Sequence, residues 1–234
     1  MKTLHLIPNT LGTRTPALEL SATALAALAR CNRFIVESEK SARRLLKDAC
    51  PDRSQLDLQF FLLNEHTDHQ DLLDLLRWFR SDEDLGLISD AGCPGVADPG
   101  AQAVLIAHNQ DWSVVPHVGP SSILLALMAS GLNGQSFAFK GYLPRDGKRR
   151  EHAWKDLRST LNAGQETQIF MEPPYRNNQT FKEIIGTLPE TIRLCIAVDL
   201  TLPTQWVKTL ELADWKKAEA PDLHKRPCLF LLGS

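Results

Sequence analysis

The stretch 86–100 combines residue types that can hold a ligand against the protein backbone. It begins as a short apolar run, typical of a buried strand, and then turns through three glycines and two prolines. Asp98 and Pro99 favour the start of a helix, as its N-cap and its first helical residue. Glycines let a ligand approach the backbone closely, and open α/β sheets bind ligands just beyond the carboxyl ends of their strands. The stretch therefore predicts a ligand-binding loop, with an ordinary strand-to-helix connection as the alternative.

Three carboxylates, Glu37, Asp98 and Glu172, are candidates for a catalytic base because each follows a predicted strand or lies in a turn. Asp98 could instead cap a helix, and Glu172 could form a buried ion pair with Arg176. Tyr175 and Arg176 follow Glu172 and could contact a substrate. The sequence predicts no metal site, because the one close histidine pair, residues 66 and 69, has no evident third ligand nearby.

A basic segment follows the predicted sixth strand and offers a way to bind phosphate groups. Its members are Arg145, Lys148, Arg149, Arg150 and Lys155. We take Arg149 and Arg150 as the candidates for substrate binding. A solvated loop and helix face is the alternative interpretation of the same charges.

The elements that must position these residues alternate between strand and helix in the first half of the chain. Apolar runs predict strands at 3–8, 33–36, 58–63, 85–89 and 113–116, with helices near 17–30, 39–49, 66–80 and 99–109. This alternation predicts an α/β fold with a mostly parallel five-stranded sheet.

The second half has a different pattern. The segment 121–130 is apolar nearly all round and predicts a buried helix. Strands are expected near 136–143, 167–172, 193–199, 204–210 and 227–232, with helices near 149–162 and 177–187. The short final connections favour antiparallel neighbours and hence a mixed sheet. We expect two α/β domains, 1–118 and 119–234.

The bulk composition fits a soluble enzyme, and the cysteine pattern leads us to expect it in the cytoplasm. The 234 residues carry a net charge of −2 and lack an apolar run long enough to cross a membrane, so we expect no membrane association. The five cysteines are scattered, which predicts reduced thiols and no zinc site. No signal peptide, dinucleotide-binding motif or phosphate-binding loop is evident.

Six segments, in order along the chain, resemble the tetrapyrrole methylase superfamily, and most closely its branch of bacterial ribosomal RNA cytidine 2′-O-methyltransferases. The most specific is Ser-Asp-Ala-Gly-x-Pro-x-x-x-Asp-Pro-Gly at 89–100. The others lie at 6–12, 34–40, 114–122, 130–144 and 169–176.

The resemblance implies the same two-domain layout, with S-adenosylmethionine held in a cleft between the domains. Carried over by position, its cofactor contacts are Pro8, Ala91, Gly92, Cys93, Val96, Ser121, Ser122, Met171, Val198 and Pro227. The resemblance also implies a homodimer and a methyl acceptor in ribosomal RNA or the small ribosomal subunit. Direct methyl transfer needs mainly alignment of the reacting atoms, which is consistent with the lack of a catalytic triad or metal cluster in the sequence.

Several segments depart from the family pattern. Glu-Ser-Glu-Lys replaces Glu-Asp-Thr-Arg at 37–40, Cys93 stands where related enzymes have Asp or Thr, and 198–202 lacks the usual lysine. The sequence ends at its last predicted strand, where the ribosomal enzymes have a small extension. Two alternatives therefore stay open: a methyltransferase acting on a tetrapyrrole or another small acceptor, and a cofactor-binding protein without catalysis.

Overall fold

The computed structural model describes residues 2–164 and 166–233. The chain forms two compact units, Met1–Ser121 and Ser122–Ser234. Each is an α/β unit built on its own five-stranded sheet, so the predicted fold class is confirmed. Among the described residues, no helix combines the length and the apolarity that crossing a membrane requires.

The sheet of the first unit is entirely parallel, as the alternation of strands and helices predicts. Its strands are β1 (Thr3–Ile7), β2 (Arg33–Val36), β3 (Gln59–Leu62), β4 (Leu85–Ile88) and β5 (Ser113–Pro116), in the spatial order β3-β2-β4-β1-β5. All four residues of β4 are buried, because β1 and β2 flank it and helices cover both faces. The carboxyl ends of β1, β2 and β4 therefore meet at one edge of the sheet.

Four helices cover this sheet. They are α1 (Ala22–Arg30), α2 (Glu39–Ala49), α3 (His69–Trp78) and α4 (Ala101–Asn109). The helix expected over 17–30 is divided, because Pro16–Leu18 forms a 3-10 turn and the Ser21 hydroxyl then caps α1 by accepting from the backbone N–H of Ala24. The helix expected from residue 66 begins at His69, after a reciprocal cap between Asp68 and Asp71.

The second unit contains a mixed sheet, as predicted. Its strands are β6 (Phe137–Tyr142), β7 (Thr167–Met171), β8 (Arg193–Val198), β9 (Trp206–Glu211) and β10 (Cys228–Gly233), in the order β6-β7-β10-β8-β9. Only β6 and β7 are parallel, and the other three pairs are antiparallel.

The helices of the second unit lie on both faces of that sheet. They are α5 (Ser122–Ser130), α6 (Gly147–Ala163), α7 (Asn177–Thr187) and α8 (Leu212–Trp215). Phe170 and Phe230 pack with α6, α7 and α8 on one face, while α5 packs against Ile169 and Leu231 on the other. The helix α8 was not predicted from the sequence, because four residues are too short to show a helical period.

Candidate active site

Asn9 fixes the loop that follows β4. Its backbone exchanges two hydrogen bonds with Gly92, at 2.9 and 3.1 Å, and its buried side-chain amide donates to the carbonyl oxygens of Ser89 and Asp90, both at 3.0 Å. The Ser89 hydroxyl donates to the Gly92 carbonyl at 2.8 Å. The loop between β4 and α4 is therefore held from its inner side by hydrogen bonds from Asn9 and Ser89.

The backbone of this loop has three residues in the left-handed region: Gly92 at φ +71°, Gly95 at +81° and Ala97 at +61°. Glycine adopts this conformation freely, whereas alanine does so at a cost in free energy. Strained residues of this kind cluster at ligand-binding sites. Ala91 and Val96 are exposed, Val96 by 49% of its surface, so the loop presents both residues to solvent.

Asp98 braces the loop from within. Its Oδ1 accepts from the backbone N–H groups of Gly95 and Gly100, both at 2.8 Å. The helix α4 begins at Ala101 with Gly100 as its N-cap, so Asp98 does not occupy the N-cap position expected from the sequence. Burial raises the pKa of Asp98 above its ordinary value, although the two backbone hydrogen bonds oppose that rise.

Glu37, at the carboxyl end of β2, belongs to the same group of charges. Burial raises its pKa, and the negative charges of Asp90 and Asp98 add to the rise. The pKa of Asp90 is also raised by burial. The sheet edge therefore carries three carboxylates, and their negative charges favour a nearby cation.

The segment 117–121, at the end of the first unit, lies beside this loop. The Cys93 thiol donates to the Pro120 carbonyl at 3.4 Å, and burial raises the pKa of that thiol. This environment is that of a neutral packing residue rather than a nucleophile. Gly119 lies so close to Pro8 that a Cβ atom at Gly119 would be 2.4 Å from the proline Cβ. The structure thus brings Pro8, Gly92, Cys93 and this segment together, with Ser121 as its last residue.

Three predicted cofactor contacts lie at one edge of the second sheet. Met171 ends β7, Val198 ends β8, and Pro227 directly precedes β10, which is antiparallel to both. The Pro227 carbonyl accepts from the backbone N–H of Asp199 at 3.0 Å. Val198 is fully buried in the core, so its side chain is not presented to solvent. Ser122 is the first residue of α5 in this unit.

Glu172 forms a buried ionic network that the sequence analysis offered only as an alternative. Its carboxylate accepts from Arg150 at 2.7 Å, from the Thr180 hydroxyl at 3.0 Å, and from Arg176. The Glu172 side chain is fully shielded from solvent. Because its oxygens are engaged by two guanidinium groups, Glu172 anchors the loop after β7 and does not face solvent as a catalytic base would.

The same network changes the interpretation of the basic segment. Arg150 was expected on a phosphate-binding surface, but its guanidinium is buried between Glu172 and Glu183. Arg176 likewise donates to Glu172 and to the Leu143 carbonyl. Arg149 is on the outside of α6, with 82% of its side chain exposed and a surface ion pair to Asp146. Tyr175, on the 3-10 turn Pro174–Arg176, is 62% exposed.

Metal chemistry has no candidate centre in the described ranges. Within residues 2–164 and 166–233, no three His, Cys, Asp or Glu side chains are grouped so that they could hold a metal ion. The five cysteines are free thiols.

The comparisons with known proteins agree with this geometry. The chain is 28% identical over 211 residues to a ribosomal RNA small subunit methyltransferase I of Vibrio cholerae, and 27% over 219 residues to that of Escherichia coli O157:H7. These alignments cover 90% and 92% of the chain, and 69% and 72% of the relatives. A Streptococcus pyogenes protein of the same name is 33% identical over 79% of the chain and 60% of its own length. No family model matches.

Solved methyltransferases share the fold. The methyltransferase CobJ superposes over the full chain and 95% of its own length, with a TM-score of 0.67 at 15% identity. A uroporphyrin-III C-methyltransferase from Thermus thermophilus, complexed with S-adenosyl homocysteine, gives a TM-score of 0.57 at 18% identity, over the full chain and 98% of its own length. The chain is a methyltransferase that resembles ribosomal RNA small subunit methyltransferases I in sequence, and its fold is that of the tetrapyrrole methyltransferases. The loop after β4 is the segment to which the resemblance assigns the cofactor.

Sequence reasoning missed two residues of this site. Asn9 lies in the segment that resembles the family's opening loop, but nothing in the sequence shows that its side chain reaches residues 89 and 90. Asp90 belongs to the motif at 89–100, but the motif does not reveal its electrostatic coupling to Glu37. That coupling arises because β2 and β4 are neighbouring strands.

Proposed function

We propose that this methyltransferase transfers the methyl group of S-adenosylmethionine to a ribose 2′-hydroxyl of ribosomal RNA. The observation that carries the proposal is the braced loop at 89–100, in a chain whose curated relatives are named ribosomal RNA small subunit methyltransferases. We propose cofactor contacts from Pro8, Ala91, Gly92, Cys93, Val96 and Ser121, all in the first unit.

The residues around the loop fit the chemistry of this cofactor. Its sulfonium is a cation, and Glu37, Asp90 and Asp98 supply negative charge at the same sheet edge. When bound, S-adenosylmethionine supplies an activated methyl group, so the protein must chiefly orient the two reactants. A raised pKa makes a carboxylate a stronger base. We therefore propose Glu37 and Asp98 as candidates to accept the proton of the acceptor hydroxyl.

The second unit offers groups suited to RNA. Arg149 extends into solvent from the first turn of α6, and Lys148 and Arg145 are exposed beside it. Tyr175 presents an aromatic ring on a turn that Arg176 and Glu172 hold in place. Cations that bind phosphates and aromatic rings that stack on bases are the usual elements of single-stranded RNA recognition. We further propose a cytoplasmic homodimer, which size-exclusion chromatography with light scattering would show as twice the monomer mass.

The function is tested by methyl transfer from tritiated S-adenosylmethionine to small ribosomal subunits prepared from cells that lack this chain. The proposal predicts label in a 2′-O-methylnucleoside after nuclease digestion and mass spectrometry. A parallel reaction with uroporphyrinogen should stay unlabelled. Label in uroporphyrinogen, or none in RNA, contradicts the proposal.

Replacing Arg149 with alanine is expected to weaken RNA binding and to lower the salt slope of the binding constant by about one, because one phosphate contact is lost. The matched control is Arg77→Ala, since Arg77 forms a similar exposed ion pair, with Asp74 three residues earlier, in the first unit. A filter-binding titration over a series of salt concentrations measures both variants. If the salt slope is the same for the Arg149 variant and the unmodified protein, Arg149 does not contact an RNA phosphate.

Lowering the pH from about 8 to about 5 is expected to weaken binding of S-adenosylmethionine more than binding of S-adenosylhomocysteine. The pKa values of Glu37, Asp90 and Asp98 are raised, so these groups take up protons at a higher pH than ordinary carboxyls do, and protonation removes their attraction for the sulfonium. A carboxyl group whose pKa is higher in the folded state than in the unfolded state stabilises the fold when it is protonated. This stabilisation is fully present at a pH below the unfolded-state pKa and is lost as the pH rises through the folded-state pKa. Protonation of these groups therefore does not itself unfold the protein. Calorimetric titrations with both ligands at several pH values test this, and parallel pH profiles would contradict it.

A further inference from the structure

A cavity of about 300 Å³ lies between β6 and α6, entirely within the second unit. Leu143, Pro144, Ala153 and Leu157 supply apolar walls, and Lys140, Asp156, Thr160 and Gln168 supply polar groups. Tyr142 completes the lining and is 59% exposed. A cavity with mostly apolar walls and a few polar groups is typical of a small-molecule subsite.

Gln168 gives this cavity an unused hydrogen-bond acceptor. The residue is fully buried, and its amide nitrogen donates to the Glu166 carboxylate at 2.7 Å and to the Glu166 carbonyl at 3.4 Å. That contact fixes the orientation of the amide, so the carbonyl oxygen Oε1 must find a different partner. Within the described residues, Oε1 is buried and has none. Buried polar atoms nearly always have a partner, so this oxygen points to a ligand that donates a hydrogen bond.

The strand that forms one wall is irregular at this cavity. The pairing of β6 with β7 shifts between Phe139 and Tyr142, and Gly141 lies at φ +65°. Such bulges re-aim side chains and are frequent beside functional sites. The two residues that flank Gly141, namely Lys140 and Tyr142, both line the cavity. They supply an ammonium group for a phosphate and a ring on which a planar ligand can stack.

The other wall connects the cavity with the basic end of α6. Ala153, Asp156 and Thr160 line the cavity at helical spacing, and Arg149 lies one turn before Ala153 on the same face. Lys140 and Arg149 therefore lie on the surface beside the cavity, where they could contact the phosphates of a nucleotide whose base enters it. The carboxylate of Asp156 adds a second acceptor for an amino group.

We propose that this cavity binds one amino-bearing nucleobase of the RNA strand, of the cytosine or adenine type. The exocyclic amino group donates to Gln168 Oε1, and the base stacks on Tyr142. The inference rests on the proposed function, because it assigns this cavity to a nucleotide of the same RNA substrate. It adds a specificity pocket that reads a base by its amino group.

The test compares three fluorescently labelled RNA pentanucleotides by anisotropy: all-uridine, one with a central cytidine, and one with a central N4,N4-dimethylcytidine. The cytidine RNA is expected to bind about tenfold more tightly than the dimethylated RNA, because the dimethylated base has no amino hydrogen to donate. Gln168→Met should abolish that difference in the folded protein, because methionine has no amide oxygen to accept the amino hydrogen. Gln102→Met, the same change at an exposed position of α4 in the first unit, should retain the difference.

Tyr142→Leu provides a second variant at an exposed position, where folding is not at risk. It should weaken binding of the cytidine RNA about tenfold or more through loss of stacking. Equal binding of the cytidine and dimethylated RNAs, or an unchanged preference in Gln168→Met, overturns the pocket and leaves the RNA function standing. Absence of binding by all three RNAs overturns both.

Discussion

Replacing Glu172 with glutamine is expected to destabilise the protein by about 3–5 kcal/mol, the range for removing one partner of a buried ion pair. The Glu172 side chain is fully shielded, and the side chains of Arg150 and Arg176 are only 10% and 12% exposed. Glutamine preserves the shape but removes the negative charge, so buried positive charge is left without its central partner. Arg150 retains Glu183, whereas the Arg176 guanidinium retains the Leu143 carbonyl as its one hydrogen-bond partner among the described residues.

Urea unfolding followed by circular dichroism measures the effect of Glu172→Gln. Glu190→Gln is the matched control, because Glu190 forms an exposed ion pair with Lys216 and exposed pairs contribute little. A loss of less than about 1 kcal/mol in the Glu172 variant would show that the network does not hold the loop after β7.

Replacing Gly119 with alanine is expected to reduce the affinity for S-adenosylmethionine at least about tenfold and to cost about 1–3 kcal/mol of stability. The added Cβ would lie 2.4 and 2.6 Å from two ring atoms of Pro8, and a proline ring cannot rotate away. Either the end of β1 or the segment 117–121 must then shift. Asn9 directly follows Pro8 and holds the loop after β4, so the shift reaches the proposed cofactor contacts.

Gly134→Ala is the control for this change. No heavy atom lies within 4 Å of a Cβ built at Gly134, and its backbone is outside the left-handed region. The control should leave both the calorimetric affinity and the urea midpoint unchanged. An unaltered affinity in a folded Gly119→Ala protein would separate Pro8 and Gly119 from the cofactor site.

The fold was readable from the sequence because its strands are short apolar runs in regular alternation with helices. The strand boundaries differ from the predicted ones by two residues at most, since the burial of β4 and its neighbours is encoded directly in their composition. The division of the helix expected over 17–30 was not predicted, because the apolar period continues across Pro16–Leu18 and Ser21. In that segment the local effects of the proline and of the serine cap override the helical spacing of the apolar residues.

The sequence predicted the candidate site only where glycine and proline indicate an unusual backbone conformation. Glycine and proline drew attention to the loop at 89–100, but its bracing by Asn9 and Asp98 depends on side-chain contacts between distant segments. Arg150 could have been placed correctly, because it precedes Trp154, Leu157 and Leu161 at spacings of four, three and four, and all four are buried. Arg149, one position earlier, is turned outward by the helical rotation of about 100° per residue.

The most direct test of the account is calorimetric titration of the purified protein with S-adenosylmethionine and S-adenosylhomocysteine, repeated on Val96→Glu. Val96 is 49% exposed on the loop, so a glutamate there leaves the fold intact while placing a bulky charge at the proposed site. We expect micromolar binding of both ligands and its loss in the folded variant. Equal binding in the variant, or no binding by the folded unmodified protein, would contradict the assignment of the cofactor to this loop.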